Sequence, residues 1–318
     1  MKHNINDDTN FFKRKSKFVP NLITILCIIF VGIGISFSVY YIIRKKIRSE
    51  SSVYTLYARW NNYDYTGVYE TSKHILDRKP FNNTALTYHG YASFYLGVSQ
   101  LETSTAQNYL DESINNLRIA LISAKKSLKP QLEYMLGKAY FYKNTISSYY
   151  YADLAIKYLQ MSKHDGYKAD DIPEYLGLSY ASLDMTLDSI SAFTEALLVR
   201  ESDTLLLSIA EQYRKAGQNA AAEQYLFRII NNCKDDILVL KSRVLLGTIY
   251  TDEGKYTDAE QEYMTVLEKN ENSADVYYGL GVIYEKQGDL VKARSEWRKA
   301  LRIQVNHPGA LKKMTDYK

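Results

Sequence analysis

Thiols are almost missing from this chain of 318 residues: Cys27 lies inside its one long apolar run and Cys233 stands alone. No disulfide can therefore link the rest of the chain to itself, and two cysteines do not decide the compartment. Histidine is scarce as well. His3, His74, His89, His164 and His307 include none paired at helical metal-ligand spacing with a second His, Cys or carboxylate in a recognisable motif. There is no glycine-rich phosphate loop, no Gly-x-Ser-x-Gly elbow and no strand pattern to carry either. Two adjacent acid pairs, Asp170-Asp171 and Asp235-Asp236, fall where helices should begin, which assigns them to capping rather than to acid/base work. These absences leave no catalytic constellation, no metal ligand set and no cofactor loop, and the expectation is a protein that is not an enzyme.

A surplus of one charge is missing too, once the chain is divided. Residues 1–50 hold nine of the 40 Lys and Arg but three of the 36 acids, leaving 31 bases against 33 acids for the remainder. The overall +4 thus belongs to the N-terminal flanks, and the body of the chain lacks the basic footprint of a nucleic-acid binder.

What is present is, first, an uncharged apolar stretch from Leu22 to Ile43. As a helix it would measure about 33 Å at 1.5 Å per residue, enough to cross a bilayer. It is too long for a cleaved signal and lacks a small-residue exit site, so an uncleaved single-pass transmembrane helix is expected. Tyr40 and Tyr41 sit near one end, with Arg44, Lys45, Lys46 and Arg48 beyond it and Lys13, Arg14, Lys15 and Lys17 on the other side. The basic counts balance. A short cationic tail resists export, whereas a long folded domain crosses largely regardless of charge, so an inside N-terminus is expected. The same tail, with Phe11, Phe12 and Phe18, suits anionic headgroups. Gly32 with Ser36 and Gly34 with Ser38 would let two spans approach closely, leaving a homo-oligomer open. The expected organisation is a basic tail over 1–21, the span over 22–43, a linker over 44–51 and a repeat domain over 52–318.

Second, the C-terminal region repeats itself. Leu246, Gly247, Tyr250, Gly254, Ala259, Tyr263 and Leu267 reappear 34 residues later as Leu280, Gly281, Tyr284, Gly288, Ala293, Trp297 and Leu301. Within a unit the large residues recur at three and four positions, the spacing of one helical face, and Gly288-Asp289 interrupts the pattern before it restarts. One unit is therefore two antiparallel helices joined by a tight turn. Thr257 with Glu260 has the form of a capping box for the second helix of its unit. Weaker copies precede: Ile209-Ala210 with Tyr213, Leu176-Gly177 with Tyr180, Leu136-Gly137 with Tyr140, then Tyr88 to Leu96, and Val53 to Trp60. Extra residues are expected to lengthen the inter-helix turns near Glu102 to Asn108 and Asn144 to Tyr149, and the inter-repeat turn at Asn231 to Asp236. About seven hairpins result, closed by a helix from Pro308.

With Tyr277, Leu280-Gly281, Tyr284, Ala293, Trp297 and Ala300 in the last unit, the pattern resembles the tetratricopeptide repeat family; Val305 stands where that family has its closing proline. The resemblance implies an all-α, right-handed superhelical solenoid. Leu136, Gly137, Tyr140, Leu176, Gly177, Tyr180, Leu246, Gly247, Tyr250, Ala259, Leu280, Gly281, Tyr284, Ala293 and Trp297 become its packing residues. It also implies a concave groove lined by the first helix of each pair. Carried onto this chain, the groove presents Tyr134, Lys138, Phe141, Tyr142, Glu174, Leu178, Glu211, Arg214, Lys215, Thr248, Asp252, Tyr278 and Glu285, suited to a partner helix or extended peptide. The Lys and Asn positions with which some members grip a terminal carboxylate hold Tyr134, Thr248 and Val282 here. Tyr149-Tyr150-Tyr151 offers a second docking edge.

The expected function is a membrane-anchored scaffold whose extracytoplasmic repeat domain organises an envelope assembly. It looks like the anchored repeat proteins that bacteria use in outer-membrane biogenesis, pilus assembly or the collar of periplasmic flagellar motors. The rivals are a cytoplasm-facing chaperone or regulator, an enzyme whose repeats recruit substrate, and a self-assembling structural component.

Overall fold

A large side chain from one helix seated on a glycine of the helix before it is the motif that builds these hairpins. A Cβ added to Gly281 would lie 2.3 Å from Trp297, one on Gly247 2.6 Å from Tyr263, and one on Gly177 2.4 Å from Phe193. Each of these aromatic side chains is at most 1% exposed. Leu159 sits on Gly137, and Leu117 on Gly90, in the same way. The sequence alternation of Leu-Gly with a distant aromatic is therefore a packing instruction: the missing side chain lets the backbones close, and the ring fills the space behind.

The computed structural model describes residues 29–43 and 52–317, and among them every element is helical. Two compact units divide the chain, Met1–Tyr88 and His89–Lys318. In the first, helix α1 covers 29–43 and α2 (Val53–Asn61) pairs with α3 (Tyr65–Leu76). Helix α4 (Asn83–Val98) crosses the division. The second unit continues with α5 (Thr103–Ile122), α6 (Lys129–Ile146), α7 (Ala152–His164), α8 (Ile172–Ser182), α9 (Thr186–Val199), α10 (Asp203–Lys215) and α11 (Asn219–Asn232). It closes with α12 (Asp236–Asp252), α13 (Tyr256–Lys269), α14 (Ala274–Lys286), α15 (Leu290–Ile303) and α16 (Pro308–Asp316). Consecutive helices from α5 onward pack on each other, and first helices also meet across units, α6 with α8, α10 with α12 and α12 with α14. Among the described residues the fold of the second unit is an all-helical, tetratricopeptide-type stack of hairpins ending in a single helix.

Turn chemistry fixes the hairpins. Gly217, Gly254 and Gly288 have φ of +72°, +78° and +85°. The next amide in each case bonds back to the helix, Lys255 N–H to the Tyr250 carbonyl at 2.8 Å and Asp289 N–H to Tyr284 at 2.9 Å. This left-handed step satisfies carbonyls the helix end would leave bare. Asp184 takes the same step at φ +55° without being glycine.

Several expectations are corrected. The extra residues of the second unit do not lengthen its turn: from Thr103 they are helical, and Glu102 caps α5 by accepting from the amides of Ser104 and Thr105. Asn144 to Ile146 likewise extend α6, so the turn of the third unit runs over 147–151. Asn231 and Asn232 remain in α11. Thr257 and Glu260 form no capping box, because α13 already begins at Tyr256 with Lys255 at its N-cap. Of the acid pairs, Asp235 caps α12 through the Ile237 amide at 2.9 Å, whereas Asp171 makes no cap bond.

The expected tail over 1–21 and linker over 44–51 lie outside the described residues, as do 22–28 of the expected span. Its remainder is α1, exposed along its length, with Phe30 at 81%. Among the described residues no helix is long and apolar enough to cross a membrane.

Candidate partner-binding groove

The first helices carry the face expected to meet a partner, and its centre is a cluster spanning α6 and α8. Asp171, drawn away from its own helix end, accepts from the Tyr134 hydroxyl at 2.8 Å and from Lys138 Nζ at 2.9 Å. Lys138 also donates to the Tyr134 oxygen at 3.1 Å. Its ammonium lies 4.8 Å from the Tyr175 ring centroid, 5.1 Å from Tyr134 and 5.9 Å from buried Phe94. A cation among three π faces, with a carboxylate at its head, is compensated on every side.

Beside this cluster the rings form a strip. The Tyr142 and Tyr175 hydroxyls are 3.1 Å apart, Phe141 meets Tyr175 edge-on at 4.9 Å, and Phe94 meets Tyr142 at 5.6 Å. Burial, then the hydrogen bond to Asp171, holds the Tyr134 phenol far above the usual tyrosine range. Burial, then the bond with Tyr142, does the same for Tyr175. Both remain neutral hydrogen-bonding groups. Tyr134, Lys138, Phe141, Tyr142, Glu174 and Leu178 are all half-buried, so this part of the face is apolar with polar tips.

Further along, the predicted residues are tied within their own hairpin or to a neighbouring repeat. Glu174 pairs with Arg200 at 3.3 Å, Lys215 with Asp184 at 3.0 Å and Arg214 with Asp252 at 3.5 Å. Leu178 packs beside Phe193, Thr248 donates to the Val244 carbonyl at 2.9 Å, and Glu211 is exposed. Tyr278 and Glu285 do not face an open groove. Helix α16 covers them: His307 lies 5.0 Å from the Tyr278 ring, and Lys313 and the Tyr317 hydroxyl both donate to Glu285, the latter at 2.5 Å. At the second expected surface, Tyr149 and Tyr150 are 73% and 82% exposed, while Tyr151 lies 6.2 Å from Tyr140, its ring nearly parallel. Sequence reasoning missed Phe94, Asp171 and Tyr175 as parts of the cluster; the only signal was the 33-residue offset from Lys138 to Asp171 and Tyr142 to Tyr175, close to one repeat.

Residues 247–288 match the family model described as TPR repeat, and residues 274–307 the one described as Tetratricopeptide repeat. These residues are tetratricopeptide repeats. A TPR repeat-containing protein of Methanocaldococcus jannaschii is 26% identical over 253 residues, covering 76% of this chain. The match spans 40% of that relative's length. Among solved structures, the apo form of the quorum sensor NprR from B. thuringiensis is similar at a TM-score of 0.57 and 17% identity, over 86% of this chain and 80% of that one. A tetratricopeptide repeat protein from Parabacteroides merdae follows at 0.52 and 17%, over 83% and 96%. At these identities the likeness is one of tetratricopeptide fold.

Proposed function

We propose that the chain is a membrane-anchored, non-catalytic scaffold that binds a protein partner along the first helices of its repeats and organises an extracytoplasmic envelope assembly. The observation that carries the binding part is the half-buried aromatic strip of Phe141, Tyr142 and Tyr175, held in place by ring contacts and one phenol pair. Rigid rings with polar tips are the groups that anchor helices and extended peptides, and the flanking ion pairs would set register.

Anchoring is supported by the uncharged run from Leu22 to Ile43 with basic residues on both sides. An inside N-terminus would place the repeats outside the cytoplasm, where a collar, a pilus machine or an outer-membrane assembly could use them. A reporter active in one compartment only, fused after Lys318, tests this reading. Periplasmic activity is expected, and cytoplasmic activity would replace it with a regulator docked at the inner leaflet.

A further inference from the structure

We propose that two copies of the chain pair through the outer surface of their last two repeats. Helices α13 and α15 are second helices of successive hairpins and align at the 34-residue offset. Glu260, Met264 and Glu268 of α13 therefore occupy the positions that Arg294, Arg298 and Arg302 occupy in α15. Spaced by four, each trio makes one stripe along its helix. Both stripes turn away from the buried rows, Ala259, Tyr263 and Val266 in one helix and Ala293, Trp297 and Ala300 in the other.

The charges of these stripes are unspent. Around them other charges are paired: Arg243 with Glu262 at 2.7 Å, Lys292 with Asp289 at 3.1 Å, Lys299 with Glu296 at 2.7 Å. Glu260, Glu268, Arg294, Arg298 and Arg302 have no such partner among the described residues. Met264, 52% exposed, interrupts the acidic stripe, and beside Arg298 and Arg302 lies a recess of about 380 Å³ lined also by Ser295 and Leu301. A flexible thioether is well suited to fill such a recess.

Set one repeat apart, the acidic stripe of α13 and the basic stripe of α15 supply what an isologous interface requires, each copy offering both halves. A two-fold axis running along the helices sets Glu260 against the second copy's Arg294 and Glu268 against its Arg302. The perpendicular axis would set like charges together, so the pattern selects one arrangement. An unrelated acidic helix would use only the arginines and leave the Glu260–Glu268 stripe without purpose. This pairing is independent of the groove and of the partner bound there.

The full chain in a mild non-ionic detergent provides the test, with mass read by light scattering across protein concentration. Wild type is expected to be a dimer that loosens as salt approaches about 1 M, where the screening length is about 3 Å. Reversing one stripe, as Arg294→Glu with Arg298→Glu and Arg302→Glu, or as Glu260→Arg with Glu268→Arg, should raise the dimer Kd at least about tenfold. Combining both reversals should return it to within a few-fold of wild type. With Cys27 and Cys233 replaced by Ser and copper–phenanthroline in air as oxidant, chains bearing Glu268→Cys mixed with chains bearing Arg302→Cys should form a disulfide-linked heterodimer, a readout that leaves most of each stripe intact. A wild-type monomer, a dimer untouched by either reversal, failure of the combined set to recover, or a monomer that instead binds polyglutamate would each overturn the proposal.

Discussion

Gly281→Ala probes the packing rule at its tightest point. The added carbon would stand 2.3 Å from Trp297 Nε1, 2.4 Å from Cδ1 and 3.0 Å from the Ala293 carbonyl oxygen. None of these can retreat cheaply. Trp297 is fully buried in a cluster with Ala274, Ala300 and Ala310, and its ring lies 5.8 Å from that of Tyr317 on the other side. An alanine inside a helix normally gains about 1 kcal/mol over glycine, while overpacking a close-packed site costs about 1 to 3 kcal/mol. The clash should win by about 1 kcal/mol. Trp297→Phe removes Nε1, the atom nearest the new methyl and one whose N–H has no hydrogen-bond partner, and replaces the indole with a smaller ring. The double variant should therefore be more stable than the sum of its parts predicts, by about 1 kcal/mol. Urea unfolding followed by circular dichroism measures all three. A Gly281→Ala protein as stable as wild type, or strict additivity, would refute the claim that the ring-on-glycine contact sets the hairpin.

Asp184→Gly should stabilise by about 1 kcal/mol, since Asp184 holds a left-handed turn that glycine takes without strain, and its exposed pair with Lys215 is worth little; thermal melting reads the gain. Glu133 is buried with one carboxylate oxygen unpartnered, and its pKa is raised first by burial and then by Asp165, against a weaker pull from Lys129. Its folded-state pKa lies above the unfolded one, so its contribution is fully present in acid and is lost as pH rises through the folded value. Glu133→Gln should stabilise at pH 7, by on the order of 1 kcal/mol, and little at pH 4. Tyr134, Tyr175 and Tyr263 are likewise raised, chiefly by burial, above the ordinary tyrosine value of 10.0. Their contribution is complete below that value and is lost above it, when the unfolded chain ionises first. Alkaline unfolding should be steep, and Tyr175→Phe should make it shallower.

The hairpin array was legible because its packing rule is local in the sequence: Leu280-Gly281 and Trp297 lie within one unit and repeat at a fixed offset. The single closing helix at Pro308 was legible for a similar reason, proline opening the helix just past the last unit. Boundaries set by competition were not. Glu102 captures two amides and lets a helix start where a long turn was expected. The left-handed step at Gly254 returns the chain so quickly that Thr257 is already inside α13. The groove was the least legible, because its contacts cross repeats. Asp171 has the sequence of a cap, but a phenol and an ammonium from α6 outbid the helix amides, a charge-assisted pair outweighing an N-cap bond. Tyr278 and Glu285 match the groove positions of other units, yet α16 follows their hairpin and lies over them.

The central claim, that a protein partner lies on the aromatic strip, is tested most directly by placing a photo-cross-linking residue in the full chain in native membranes. Positions 141 and 142 would carry it in turn, with position 278 under α16 as the control. The account predicts a covalent adduct to one protein from 141 and 142, none from 278, and loss of the adduct when Tyr175 is replaced by Ala. Adducts of equal yield at all three positions, or none at 141 and 142, would contradict it.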